Sequence, residues 1–339
     1  MDDGPAQEGT LPKERTRQGR RPPPLVAALD LGTNNCRLLI AQATRRGDLR
    51  IVDSFSRIVR LGEGIAEHGV LSQAAIARTL EALKICAVRL RDNRVRRIRA
   101  VATEACRRAA NAQTLIERAQ AETGIALEII SPDEEARLAA IGCAPLLDPQ
   151  AEGGLVFDIG GGSTEIIWLR RRAGDTAQVV AATSQPLGVV TLAESWRDGA
   201  LDRADFVRMR DGLIAQLIPV KARMEAEARF DPATHHLLGT SGTVTTLAAI
   251  ALGLPRYDRA KVDASWHACA DIDAVVGRLL DLDLAGRAQI GCVGPDRADL
   301  IVPGCAIYAA IHALWPCERL RVADRGLREG ILRELMGRQ

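Results

Sequence analysis

Residues 155–169 read Leu-Val-Phe-Asp-Ile-Gly-Gly-Gly-Ser-Thr-Glu-Ile-Ile-Trp-Leu: an apolar run, an aspartate, a glycine and hydroxyl loop, a glutamate, and a second apolar run. The pattern predicts a buried strand at Leu155–Asp158, a loop through Thr164 and a return strand at Glu165–Leu169. Consecutive glycines inside a hairpin weaken a sheet, so Gly160, Gly161 and Gly162 call for a reason. The stretch has a counterpart upstream. Laid without gaps over Leu29–Ala41, the segment Phe157–Leu169 puts Asp158 on Asp30, Gly160 on Gly32, and apolar residues on apolar residues at both sides. One strand–Asp-x-Gly–loop–strand unit therefore heads each half of the chain, the mark of an internal duplication.

Working outward, strands are expected at Leu25–Leu29, Arg37–Gln42 and Leu49–Val59, the last two joined by a turn at Gly47–Asp48. Ser72 caps a helix with Ile76, Leu80, Leu83, Ala87 and Leu90 on its apolar face. A strand at Ile98–Ala102, a helix over Glu104–Ala121 ending near Gly124, and a strand at Ile125–Ile130 complete the first half. The second half continues with a strand at Val179–Ala182, a helix from Asp205 to Ala228, and a strand at Leu237–Gly239. The loop Thr240–Thr243 then opens a helix over Val244–Leu252. Val302–Leu314 is helical, Leu320–Val322 is a strand and Leu327–Met336 is the closing helix. The fold class is α/β, with mixed sheets flanked by helices and a cleft between the halves. The expected division is a disordered lead-in at 1–24, domain I at 25–138 and domain II at 139–339, the last helix packing back on domain I.

The 339 residues suit two domains, and 47% hydrophobic content suffices for their cores. Aromatic residues are only 3% of the chain and the formal net charge is +2, which argues against DNA or RNA as partner. That near-neutral balance also offers no obvious track for a long polyanion, so the expected grip is confined to a few terminal phosphates. Eight scattered cysteines without a CxxC pair, and five histidines without a metal spacing, read as free thiols in a reducing compartment. No apolar run reaches the ~20 residues of a membrane span, so no membrane partner is expected and the cytoplasm is the expected location. The lead-in carries Pro12, Pro22, Pro23 and Pro24 and lacks the apolar centre of a signal peptide.

Three loops after strands carry the chemistry: Thr33, Asn34 and Asn35; Gly160, Gly161, Gly162, Ser163 and Thr164; and Ser241, Gly242 and Thr243. Their N–H groups and hydroxyls suit phosphate oxygens, and two facing loops would pinch a phosphate chain. Asp30 and Asp158 stand at strand ends. Mg²⁺ takes one or two carboxylates along with substrate oxygens and water, which favours Asp158 as a ligand; for Asp30 the metal and turn-capping readings stay open. Glu165 either reaches the same ion or faces solvent. Ser131-Pro-Asp-Glu134 forms a capping box that gives Glu134 a structural task. Glu135 has none; by itself a helix-start glutamate is explained by the helix dipole, and a general base is the alternative. Arg107 stands where an arginine would clamp phosphate, while Arg108 and the run Arg94, Arg96, Arg97 and Arg99 read as solvated.

Taken in order, ALDLGTNNCRLLIA (28–41), ATEACRRAAN (102–111), IISPDEEARL (129–138), LVFDIGGGSTEI (155–166), LLGTSGTVTTLA (237–248) and DRGLREGIL (324–332) resemble the exopolyphosphatase/guanosine pentaphosphate phosphohydrolase (Ppx/GppA) family of the actin/Hsp70/sugar-kinase superfamily. The resemblance implies two actin-like domains. It implies Glu135 as catalytic base, Asp158 and Glu165 as metal ligands, and Arg107 as phosphate ligand. It further implies Mg²⁺ (or Mn²⁺) as cofactor, inorganic polyphosphate or pppGpp as substrate, and water attacking a terminal phosphorus in line; a homodimer is compatible with it. Thr33-Asn34-Asn35 departs from the family's usual Ser-Asn-Ser, and Ser131-Pro-Asp from its commoner SGx. A kinase or ATPase of the superfamily and a non-catalytic alarmone-binding regulator are the rival readings; the Glu135 segment opposes the first, and the intact Glu135–Asp158–Arg107 set the second.

Overall fold

The computed structural model describes residues 23–44, 48–171, 177–196, 201–227 and 229–337. The proline-rich lead-in up to Pro22, and Gly47 of the expected turn, lie outside the described residues. The first half runs β1 (Val26–Leu31), β2 (Asn35–Ala43), β3 (Leu49–Ile58), α1 (Ile65–His68), α2 (Gln73–Asp92), β4 (Arg97–Ala102), α3 (Glu104–Arg108), α4 (Ala112–Thr123) and β5 (Leu127–Ile129). Helix α5 (Pro132–Cys143) leads into β6 (Gly153–Ile159), β7 (Thr164–Arg171), β8 (Ala177–Gln185), α6 (Val189–Glu194), α7 (Arg203–Glu227), β9 (His235–Thr240) and α8 (Ser241–Ala251). Then come α9 (Arg259–Val262), β10 (Trp266–Ala268), α10 (Cys269–Leu280), α11 (Leu284–Gln289), α12 (Ile301–Leu314), β11 (Arg319–Ala323) and α13 (Leu327–Gly337).

The two sheets repeat one design. Their strand orders are β3-β2-β1-β4-β5 and β10-β11-β9-β6-β7-β8, so β6, β7, β8, β9 and β11 take the places of β1 to β5, with β10 added at an edge. In each, the leading hairpin is antiparallel and the later strands run parallel to the central one, apart from the added β10, which is antiparallel to β11. The repeat extends to irregularities: β2 breaks register against β3 between Ile40 and Ala41, and β7 against β8 between Trp168 and Leu169. Those are the same positions in the ungapped overlay read from sequence. Asp30 pairs across its hairpin with Arg37, and Asp158 with Glu165, so the overlay also puts Arg37 opposite Glu165 in role.

Helices α5 and α13 join the halves. Alanines 136, 139 and 140 with Cys143 pack on the second sheet beside Val156 and Ile167. Leu327, Ile331 and Leu332 of α13 pack on the first beside Val26, Ala28 and Leu39. The helices meet at backbone distance: a Cβ at Gly142 would stand 2.0 Å from the Gly326 carbonyl oxygen, and one at Gly330 would stand 2.0 Å from that of Leu138.

Several elements differ from the sequence expectation. The helix expected over Glu104–Ala121 is two helices, because Asn111 leaves the helix to grip Leu71, its Oδ1 accepting from the Leu71 N–H at 2.8 Å and its Nδ2 donating to the Leu71 carbonyl at 2.9 Å. Helix α8 begins at Ser241 rather than Val244, so the third loop is a helical first turn. Ser131 Oγ accepts from the Glu134 N–H as a capping box requires, but the Glu134 carboxylate turns outward to Arg99 and Arg137 instead of completing the box. Arg99 is accordingly no solvated edge: its guanidinium ties Glu128, Glu134 and Glu334 together. The span between α8 and α12, unread in the sequence, holds three helices and the edge strand β10.

Candidate active site

Segments from both halves line one cleft of about 400 Å³ between the sheets. The two hairpin loops form its floor, and they touch. A Cβ at Gly161 would meet Thr33 and Asn34 at 3.1 Å, and one at Gly162 would meet the Thr33 hydroxyl oxygen at 2.5 Å. The glycines therefore let one half's loop lie on the other's, and Thr33 is packed between Gly62 and Gly162 with 8% exposure. Asn34, Asn35, Gly160, Gly161, Gly162 and Ser163 line the cleft, and the side-chain oxygen of Asn34 is buried with no hydrogen-bond partner among the described residues.

The third loop enters as the start of α8. Ser241 holds a left-handed φ of 79°, strained for a residue with a Cβ, and its hydroxyl donates to the Ile159 carbonyl at 2.6 Å. With Gly242 it presents the unpaired N–H groups of a helix start to the cleft. Thr243 points elsewhere, against Gly304 of α12, and borders a side pocket with Leu300 and Ile301. Thr164 is 1% exposed beneath the loop, its hydroxyl donating to the Leu187 carbonyl, and does not line the cleft.

Four carboxylates converge here: Asp30, Glu135, Asp158 and Glu165. Burial pushes Asp158 up to about 6 against the pull of Arg37, while Asp30 pushes it further. Burial likewise pushes Glu135 up to about 7, opposed by Arg107, and the negative charges of Asp30 and Asp158 add to the rise. Glu165 stands well above the usual carboxylate range through burial and then the charges of Glu135 and Asp158; at 2% exposure it does not face solvent, and Ser184 Oγ donates to it at 2.6 Å. Asp30 is raised by burial, with Arg37 and Arg328 pulling the other way.

Arg107 does not line the cleft. Its Nη1 donates to Glu135 Oε2 at 2.8 Å and to the Ile130 carbonyl at 3.0 Å, while Nε and Nη2 grip Glu104 at 3.0 and 2.8 Å. In this arrangement it holds Glu135 in place from behind. Glu135, one turn into α5, keeps 13% of its side chain accessible toward the cleft.

The structure adds residues that sequence reasoning left without a task. Arg37 and Arg328 line the cleft, and their guanidinium groups make no hydrogen bond or ion pair to other described residues. Around them Arg259 donates to Glu329 at 2.8 Å, Glu329 accepts from the Gly326 N–H at 2.9 Å, and the Thr240 hydroxyl donates to the Arg325 carbonyl at 2.7 Å. These bonds fix the turn before α13, whose sequence DRGLREGIL was a usable signal. Arg37 was legible only through the overlay that pairs it with Glu165.

The model of the Ppx/GppA phosphatase family matches residues 39–339. Exopolyphosphatase 2 of Mycobacterium tuberculosis is 34% identical over 326 residues, covering 92% of this chain and 98% of that protein. Guanosine-5'-triphosphate,3'-diphosphate pyrophosphatase of Vibrio vulnificus is 30% identical over 318 residues, covering 92% of this chain and 59% of that one. Among solved structures, the Aquifex aeolicus Ppx/GppA family member superposes with a TM-score of 0.76 at 31% identity, covering 93% of this chain and 98% of that one. An exopolyphosphatase from Cytophaga hutchinsonii superposes with a TM-score of 0.83 at 25% identity, covering 92% and 98%.

Proposed function

Since this chain belongs to the Ppx/GppA phosphatase family and is a phosphohydrolase, we propose that it releases terminal phosphate from inorganic polyphosphate, with Glu135 as general base. The observation that carries this reading is a carboxylate pushed to about 7, held by Arg107 and facing a cleft floored by the two glycine- and hydroxyl-bearing hairpin loops. A base near neutral pH takes a proton from water without being permanently protonated itself. The loop N–H groups, with Arg37 and Arg328, hold the phosphate oxygens and offset charge that shifts to the leaving oxygen. Water attacks the terminal phosphorus as its proton passes to Glu135 Oε, and the bond to the bridging oxygen breaks.

The four carboxylates fit a divalent cation, since their burial and mutual repulsion call for positive charge. Among the described residues no group of three or more His, Cys, Asp or Glu side chains is placed so that it could hold a metal ion. Asp158 and Glu165 are the two carboxylates that would hold Mg²⁺ or Mn²⁺, ions that need only one or two protein carboxylates. Such an ion would supply Lewis-acid polarisation of the phosphoryl oxygens.

Polyphosphate is placed ahead of pppGpp because Phe55 and Tyr257 are the aromatic side chains lining the cleft, and Tyr257 is tied to Asp324 rather than free to stack a base. The Vibrio relative keeps pppGpp as the second substrate to try. The test is phosphate release from both, side by side, with and without chelator. Activity on neither substrate in Mg²⁺ would sink the reading; full activity in chelator would remove the metal from it.

A further inference from the structure

Glu104 opens α3, where an acidic residue in the first turn is ordinarily accounted for by the helix dipole and lies in solvent. This one turns inward, with only 14% of its side chain exposed. A single oxygen, Oε2, accepts from Arg107 Nε at 3.0 Å and from Nη2 at 2.8 Å, while Oε1 accepts no hydrogen bond among the described residues. The Glu104 stem lies against the other half of the chain: a Cβ at Gly162 would stand 3.0 Å from Glu104 Cγ. Glu104 itself does not line the cleft. The remaining bonds of Arg107 run the other way, from Nη1 to Glu135 Oε2 at 2.8 Å and to the Ile130 carbonyl at 3.0 Å. A guanidinium is planar, so fixing Nε and Nη2 on one edge fixes where Nη1 points. Arg107 is also only 14% exposed, and without Glu104 its Nε and Nη2 would be left lacking an acceptor. The group would then turn to other acceptors, of which a phosphate chain in the cleft is the richest.

We infer that Glu104 is a positioning residue for the reaction: it holds Arg107 by its far edge, so that Nη1 stays on Glu135 instead of passing to a substrate phosphate. The inference rests on the reading of Glu135 as the base. Glu104 meets no substrate; it supplies one acceptor oxygen at a fixed place. Glu104 and Glu135 stand on α3 and α5, and the Arg107 fork is the link that sets one against the other.

The test is steady-state phosphate release from polyphosphate by Glu104→Ala, Glu104→Leu and Glu104→Gln, alongside Glu135→Gln. Leucine keeps the stem against Gly162 and lacks the acceptor; glutamine keeps both the stem and an acceptor oxygen. Alanine and leucine should lower kcat about tenfold, the order of one hydrogen bond to a charged group, and leave KM within about twofold. Glutamine should hold kcat within about threefold of the unaltered protein. In an Arg107→Gln background, Glu104→Ala should cost nothing further, because its effect passes through Arg107. Normal kcat in the alanine and leucine variants would overturn the inference, whatever their melting temperatures. A change in KM in place of kcat, an equal kcat loss with glutamine, or full additivity with Arg107→Gln would overturn it too. If the alanine variant does not fold, the leucine and glutamine pair decides. Near-normal turnover in Glu135→Gln would instead overturn the reading of Glu135 as base, and the role of Glu104 with it.

Discussion

Glu134 and Glu135 are adjacent in one helical turn and meet different fates because the helix rotates them by about 100° from each other. Glu134 faces Arg99 and Arg137 in partly solvated ion pairs, which lower its carboxyl, the Arg137 hydrogen bond first. Glu135 turns into the cleft, where burial raises it. Glu135→Gln should cut turnover by about 10²–10⁴-fold while substrate still binds, checked by phosphate release and by equilibrium binding of polyphosphate. Glu134→Gln should cost stability of about 1 kcal/mol or less and leave the rate near normal. Because the base works ionised, kcat should rise with pH through about 7. Arg107 lowers the Glu135 value, so Arg107→Gln should move that acid limb to higher pH. An arginine acting only as a phosphate ligand would change KM and leave the limb where it is.

At the scale of elements, the crossing of α5 and α13 sets where Glu135 and the Arg328 turn stand relative to each other. Each helix packs on the sheet of the opposite half, and glycine at 142 and 330 permits the close crossing. Gly330→Ala puts a methyl 2.0 Å from a backbone oxygen that has no rotamer to yield. Overpacking of this kind costs about 1–3 kcal/mol or more, so the melting temperature should fall by several degrees. Gly212→Ala, in the exposed middle of α7 with nothing within 4 Å, should hold or raise it, since alanine favours a helix by about 0.5–1 kcal/mol. Equal melting temperatures for the two variants would show that the crossing yields. The elements themselves were largely legible: hairpins, caps at Ser72 and Ser131 and most strands follow local pattern. The break between α3 and α4 was not, because Asn111 answers to Leu71, a partner no local window contains.

For the whole molecule, folding gathers Asp30, Glu135, Asp158 and Glu165 from distant segments into one cleft. Asp158 rises from 3.8 to about 6 and Glu135 from 4.5 to about 7, so the folded protein holds more protons than the unfolded chain between those values. These groups contribute stability below the ordinary carboxylate range and lose it as pH rises through their folded values. The melting temperature of metal-free protein should therefore fall between about pH 5 and pH 8, and Mg²⁺ should restore more at the upper end. In Asp158→Asn both effects should shrink. A flat metal-free profile with no response to Mg²⁺ would contradict the charge balance drawn for the cleft.

The sequence by itself determined the duplicated α/β architecture, and it marked the strand-end loops and the carboxylates that line the cleft. It could do so because period, turn chemistry and motif order act over neighbouring residues. The overlay of Phe157–Leu169 on Leu29–Ala41 even carried the matching register breaks. Only the tertiary structure decided that Thr33 is packed between glycines, that Thr243 and Thr164 point away from the cleft, and that Arg107 holds Glu135. It also decided that Arg37 and Arg328, from opposite ends of the chain, line the same cleft. Each of these depends on which face of one element meets another across the molecule, and distance along the chain carries no record of that.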